Sequence, residues 1–161
     1  ELEITDAIQS LIDKGKNVEY KIIEDWWKDK GLPEDIIEAN MILLDRYANK
    51  EINGEMINSK VEGRTVIQEK STIENSRIIG PLFIGKNSLV KNSFLGPYTM
   101  IGDNCEIIDA EVENSVVLDN AKIEDVSIRD SLIGQGSLIK KGKTKPRAIR
   151  IVAGENSRIE V

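Results

Sequence analysis

Between Thr65 and Ile139 an aliphatic residue returns every five or six positions: Ile67, Ile73, Ile78, Ile84, Val90, Leu95, Ile101, Ile107, Val112, Val117, Ile123, Ile128, Ile133 and Ile139. Two residues before each stands Thr65, Ser71, Ser76, Leu82, Ser88, Ser93, Thr99, Cys105, Ala110, Ser115, Ala121, Val126, Ser131 or Ser137, all small except Leu82 and Val126. A helix would space its apolar residues by three and four. An ordinary strand would alternate for longer between turns. One large aliphatic per unit, with a small residue two earlier, predicts very short strands with both side chains on the same side. The small residue leaves room at a corner. The Gly, Asn and Asp residues between units (Gly85, Asn87, Asn92, Gly102, Asp103, Asn104, Asn114, Asp119, Asn120, Gly134 and Gly136) supply the positive φ that tight corners need. Three units then close one triangular coil, and coils stack aliphatic upon aliphatic, each contributing about 1.5–3 kcal/mol when buried. No unit is stable alone, so the stack must be long. The fourteen units make between four and five coils.

This pattern resembles the hexapeptide-repeat proteins, whose fold is a left-handed parallel β-helix; the hand is implied by the resemblance, not by the spacing. The expected fold is therefore mainly β: a left-handed parallel β-helix over 61–141, preceded by a partial α/β segment. Residues 49–60 read as a linker. Residues 142–161 read as a tail that covers the open end, because bare strands would expose unpaired edges.

The first forty-eight residues follow other periods. Glu1–Asp13 reads as a helix with Ala7, Ile8, Leu11 and Ile12 on one face, Thr5 or Asp6 as N-cap, and Gly15 as its end. Asn17–Glu24 alternates Val18, Tyr20 and Ile22 and reads as a strand. After Trp26-Trp27-Lys28-Asp29-Lys30-Gly31, Pro33 opens a second helix that runs to about Tyr47, with acidic residues in its first turn. Helix, strand, turn and helix in that order form a piece of an α/β layer.

Composition narrows the chemistry. Net charge is −6, which argues against nucleic acid, since phosphate neutralisation needs a basic surface. No apolar run approaches the ~18 residues of a membrane span. Cys105 is the single cysteine, so no intramolecular disulfide forms, and a cytoplasmic setting is the simple reading. Cys105 also occupies a small inward position of the repeat and reads as core. The chain has no histidine, which removes the commonest general base and metal ligand. Lys140, Lys141, Lys143, Lys145, Arg147 and Arg150 make the tail basic, a solvated stretch by default.

Glu-Ile-Thr-Asp-Ala-Ile-Gln at Glu3–Gln9, the Trp-Trp-Lys-Asp-Lys-Gly segment and Pro-Glu-Asp-Ile-Ile-Glu-Ala-Asn from Pro33 together resemble the end of the catalytic domain of glucose-1-phosphate thymidylyltransferases and related sugar-1-phosphate nucleotidyltransferases. Longer members of that family place such motifs shortly before a β-helix, so the resemblance covers essentially the whole chain. It implies a reaction of a nucleoside triphosphate (dTTP or UTP) with a sugar 1-phosphate, glucose 1-phosphate being the family's commonest, and a need for Mg2+. It also implies Asp29 as a metal ligand and Trp27 as a residue beside the sugar. Lys30 stands where the family often has threonine. The family's glycine-rich phosphate loop and its catalytic arginine and lysine have no counterpart in this sequence, so the 161 residues alone are expected to be inactive. Two other functions compete. Many β-helix proteins transfer acetyl groups, here to an amino-sugar 1-phosphate, with Tyr98 as the residue nearest to a candidate; the missing histidine counts against it. The β-helix could instead serve purely for assembly, as a homo-oligomer with a trimer favoured, since regular flat faces suit self-association.

Overall fold

The computed structural model describes residues 3–22, 32–142 and, as backbone, 150–152. Two helices precede a stack of short strands. α1 (Ile4–Asp13) begins at Glu3, ahead of the expected Thr5 or Asp6, and no side chain caps it. Gly15, at φ +68°, ends it as read: its N–H reaches Ile12 O, and Lys16 N–H reaches Leu11 O. No α1 residue is buried. Residues 17–22 form no strand, contrary to their alternation. Val18, Tyr20 and Ile22 are exposed there, and an isolated extended segment has no partner for its backbone groups. Among the described residues no sheet accompanies α1, so the α/β layer is not seen. α2 (Pro33–Tyr47) matches its expected span, with Pro33 in its first turn and the Asp35 carboxylate accepting the Leu32 N–H.

β1 (Glu51–Ile52), β2 (Glu55–Ile57) and β3 (Lys60–Glu62) make the first coil. β4 (Thr65–Ile67), β5 (Thr72–Glu74) and β6 (Arg77–Ile79) make the second; β7 (Leu82–Ile84), β8 (Leu89–Lys91) and β9 (Phe94–Leu95) the third. β10 (Thr99–Ile101), β11 (Glu106–Ile108) and β12 (Glu111–Glu113) make the fourth; β13 (Val116–Val117), β14 (Lys122–Glu124) and β15 (Ser127–Arg129) the fifth. β16 (Leu132–Ile133) and β17 (Leu138–Lys140) start a sixth, and β18 (Arg150–Val152) follows. The strands sort into three parallel sheets: β1-β4-β7-β10-β13-β16 as face A, β2-β5-β8-β11-β14-β17 as face B, and β3-β6-β9-β12-β15 as face C. The fold is thus a parallel β-solenoid of about five turns.

The repeat reading holds residue by residue. Ile67, Ile84, Ile101 and Val117 stack in register on face A, and Ile73, Val90, Ile107 and Ile123 on face B, all essentially inaccessible to solvent. The coils begin earlier than read, however. β1 and β2 pair with β4 and β5, so residues 49–60 are largely the first coil and not a linker. The aliphatics Ile52 and Met56 are only four apart, which hid them from a five-or-six spacing. At the other end β18 pairs antiparallel with β17, at the edge of face B. Residues 143–149 and 153–161 lie outside the described set.

The small inward residues do more than leave space. Ser71 Oγ accepts the Ser88 N–H at 3.1 Å, and Ser88 Oγ accepts the Cys105 N–H at 3.0 Å. Around the next corner Ser59, Ser76 and Ser93 pass the same bond to Ser76, Ser93 and Ala110. Each hydroxyl satisfies a buried amide where the strand ladder is broken by the bend. Of the expected corner residues Asn87, Asn92, Asn104, Asn114, Asn120 and Gly136 do take positive φ, whereas Gly85, Gly102 and Gly134 do not. The positive-φ positions are mostly Asn and Asp, stacked as Asn58, Asn75, Asn92, Asp109 and Asp125 between faces B and C. Gly85 and Gly102 are needed for closeness instead: a Cβ on Gly85 would lie 2.4 Å from Asp103 Oδ1 and 2.6 Å from the Gly102 backbone.

Candidate functional site

The residues that the family resemblance singled out, Trp27 and Asp29, lie outside the described residues. Among the described residues no group of three or more His, Cys, Asp and Glu is placed to hold a metal ion. The described part instead shows how the β-helix holds the segment that follows Asp29.

That hold is face A. Its outward positions are apolar in every coil from the second onward: Val66, Phe83, Met100, Val116 and Leu132, in register. α2 packs over β13 and β16, burying Ile37, Ala39, Asn40 and Leu44, and with them Val116. This second apolar position, recurring once per coil and not once per unit, was the sequence signal for α2's docking site. It is masked by the stronger inward pattern, because Val66 and Ile67 read as one apolar run.

Polar contacts set where α2 sits. Asn40, nine-tenths buried, donates from Nδ2 to the Tyr98 carbonyl at 2.8 Å. Tyr98 is at φ +60°, a left-handed corner that a bulky residue adopts at a cost of ~1–3 kcal/mol. Its hydroxyl lies 3.4 Å from both Asp45 carboxylate oxygens. Arg64, from the corner before β4, forks onto Asp45: Nη2 meets Oδ1 at 2.8 Å and Nη1 meets the backbone carbonyl. Tyr98 therefore belongs to the joint between α2 and the β-helix.

The other chemistry-bearing groups are quiet. Cys105 is fully buried; its Sγ–H points to Leu118 O at 3.3 Å, and burial pushes the thiol pKa up. That supports the core reading over a nucleophile. On the surface Lys60, by hydrogen bond and charge, and then Arg77 hold Glu62 below the usual carboxylate range; Lys86 does the same to Glu69. An open groove runs along the corner between faces B and C, past Asn75, Arg77, Asn92, Phe94, Asp109 and Glu111.

Comparison with known proteins places this architecture. The family model of the GMPPB C-terminal domain matches residues 78–160, which takes in the last four coils and the tail. The chain belongs to this family. Family membership here means the β-helix half, and relatives extend the likeness to both halves. A glucose-1-phosphate thymidylyltransferase of Streptomyces antibioticus is 39% identical over 100% of this chain and 46% of its own length. The low-salt glycan biosynthesis nucleotidyltransferase Agl11 of Haloferax volcanii is 39% identical, again over 100% of this chain and 46% of its own. A bifunctional sugar-1-phosphate nucleotidylyltransferase/acetyltransferase of Sulfurisphaera tokodaii is 34% identical over 94% of this chain and 40% of its own. The chain spans less than half the length of these relatives.

Proposed function

We propose that this GMPPB C-terminal domain family member works as the C-terminal part of a sugar-nucleotide pyrophosphorylase. The observation that carries the reading is the 39% identity to a glucose-1-phosphate thymidylyltransferase across the whole chain, α1 and α2 as well as the β-helix. In the proposed reaction an oxygen of the sugar 1-phosphate attacks the α-phosphorus of dTTP or UTP. The new O–P bond forms as the bond to the β-phosphate breaks, and pyrophosphate leaves with its electron pair. Glucose 1-phosphate is the proposed sugar. Mg2+ would supply neutralisation of the triphosphate charge. Asp29 would furnish one hard oxygen ligand and Trp27 a wall beside the sugar.

Residues 1–48 then belong with the catalytic half, the β-helix (of left hand, as in its family) stands behind it, and the tail caps the far end. The clamp of α2 onto face A supports a second role for the β-helix, which is to hold the catalytic half in a fixed place; joining copies of the chain is a further role proposed for its regular faces. No described helix is long and apolar enough to cross a membrane. The cytoplasm, where nucleoside triphosphates are made, is the proposed setting.

The test is pyrophosphate release by the full-length gene product with Mg2+, glucose 1-phosphate and each nucleoside triphosphate in turn. Release with dTTP or UTP, lost on chelation and lowered at least ~100-fold by Asp29→Ala, is the expected result. The 161-residue chain alone releases none. No release with any nucleotide and sugar phosphate would sink the reading. The bifunctional relative makes acetyl transfer the second reading, and acetyl-CoA consumption with glucosamine 1-phosphate is its check.

A further inference from the structure

The corners of the solenoid are rich in asparagine, and after each asparagine comes a peptide N–H that could attack the side-chain amide before it. Asparagine is thermolabile by this route. The stack protects most of these pairs. After Asn75 the Ser76 N–H is held by Ser59 Oγ at 3.0 Å, and after Asn87 the Ser88 N–H by Ser71 Oγ at 3.1 Å. After Asn92 the Ser93 N–H is held by Ser76 Oγ at 3.0 Å, and after Asn104 the Cys105 N–H by Ser88 Oγ at 3.0 Å. Such a bond must open before the nitrogen can react. In every case the acceptor sits on the preceding coil, so a coil with none before it lacks this protection.

The first coil is that coil. Its corner between β1 and β2 is Asn53-Gly54, the one Asn-Gly pair of the chain, where the second coil uses the longer corner 68–71. The Asn53 N–H reaches Ile67 O and the Glu55 N–H reaches Ser71 O, both at 2.8 Å. Between them the Gly54 N–H has no acceptor among the described residues. Gly54 has no side chain to shield its nitrogen or to restrict the chain as it closes on the amide. Glycine is also required there, since a Cβ would lie 2.6 Å from Ser71 O and 2.8 Å from Ile67 Cγ2. Asn53 is exposed, and its Nδ2 donates at 2.8 Å to the equally exposed Glu51 carboxylate.

We propose that Asn53-Gly54 is a self-modification site of the folded protein, where asparagine converts to aspartate and isoaspartate while the asparagines of the stacked corners persist. The Gly54 nitrogen attacks Asn53 Cγ and gives its proton to water. The new N–C bond closes a cyclic imide as the bond to Nδ2 breaks, and ammonia leaves with a proton from water. Water then opens the ring at either carbonyl. One opening gives aspartate. The other gives isoaspartate, which routes the main chain through the side-chain carbon and so lengthens it. A short corner pinned to the second coil at Asn53 and Glu55 has no slack for the added atom. The isoaspartyl form therefore loosens the first coil, just where the chain enters the solenoid from α2.

The experiment is incubation of the full-length gene product at neutral pH and physiological temperature, native and in guanidinium chloride, followed by tryptic digestion and tandem mass spectrometry. Trypsin releases Glu51–Lys60, and its fragments separate Asn53 from Asn58. Each site's native rate is compared with its own unfolded rate, which cancels the sequence preference of the reaction. At Asn53 the two rates agree within ~3-fold, because no bond has to open first. At Asn87, Asn92 and Asn104 the native rate is at least ~10-fold below the unfolded one, because a hydrogen bond stands in the way. Hydrogen exchange at the Asn53 and Glu55 amides rises in the aged parent and not in an aged Asn53→Gln protein. A native rate at Asn53 more than ~3-fold below its unfolded rate would overturn the proposal. So would stacked corners that react in the native protein as fast as Asn53 does. None of these readouts depends on pyrophosphorylase activity.

Discussion

At the scale of the residue, the inward small position is a hydrogen-bonding site that most coils fill with serine. Cys105 sits in that row: its N–H goes to Ser88 Oγ and its thiol to Leu118 O. Burial raises its pKa, with the Asp119 charge adding and nearby N–H groups opposing. The folded protein therefore keeps this proton to higher pH than the unfolded chain does. As pH rises through the ordinary thiol range, ~8.5, the unfolded state ionises first and stability falls. Two outcomes are expected. At pH 8 a disulfide reagent modifies the native thiol at least ~100-fold more slowly than the urea-unfolded one. Between pH 7.5 and 10 the urea midpoint drops less in Cys105→Ser than in the parent, and Cys105→Ser itself changes stability by under ~1 kcal/mol, since serine already fits this row. Fast native modification would mean the position opens, which the stacking described above does not allow.

At the scale of the element, α2 is a helix whose position depends on two corners, at Arg64 and Tyr98, two coils apart. Asn40→Ala leaves the Tyr98 carbonyl without its donor, and Arg64→Ala removes the fork on Asp45. Each loses about 1–2 kcal/mol of docking, which reads as ~5–30-fold faster hydrogen exchange of the α2 amides with the amides of β7–β11 unchanged. Exchange rising equally in both regions would show that α2 is part of the solenoid's own folding unit. α2 itself was legible in the sequence from Pro33 and its acidic first turn, but its docking was not. Docking depends on Val66, Phe83, Met100, Val116 and Leu132 lining up every 16 or 17 residues, a period longer than any single element and visible only once coils are counted. The strand at 17–22 failed for the opposite reason: alternation is a local signal, and a strand exists only when another strand pairs with it. Of the candidate site, Trp27 and Asp29 stood out only through family resemblance; no spacing within this chain marks a lone carboxylate as a metal ligand.

At the scale of the whole molecule, a solenoid is held by neighbours, so its ends differ from its middle although the units look alike. Ile101 has full coils on both sides and is inaccessible to solvent; Ile128 lies in the last strand of face C and is only partly buried. The sequence marks both as equivalent inward isoleucines. Nearest-neighbour stacking makes them unequal. Ile101→Ala removes contacts to two coils and leaves a closed cavity, at a cost of about 3–5 kcal/mol. Ile128→Ala loses one side's contacts at a site that can relax toward solvent, at about 1–2 kcal/mol. Urea unfolding gives the two values, and native-state hydrogen exchange separates their origin. In the Ile128→Ala protein the amides of β15 and β16 exchange through local opening, while those of β7–β11 still wait for global unfolding. Equal costs at the two positions would mean that the far end is as firmly covered as the centre.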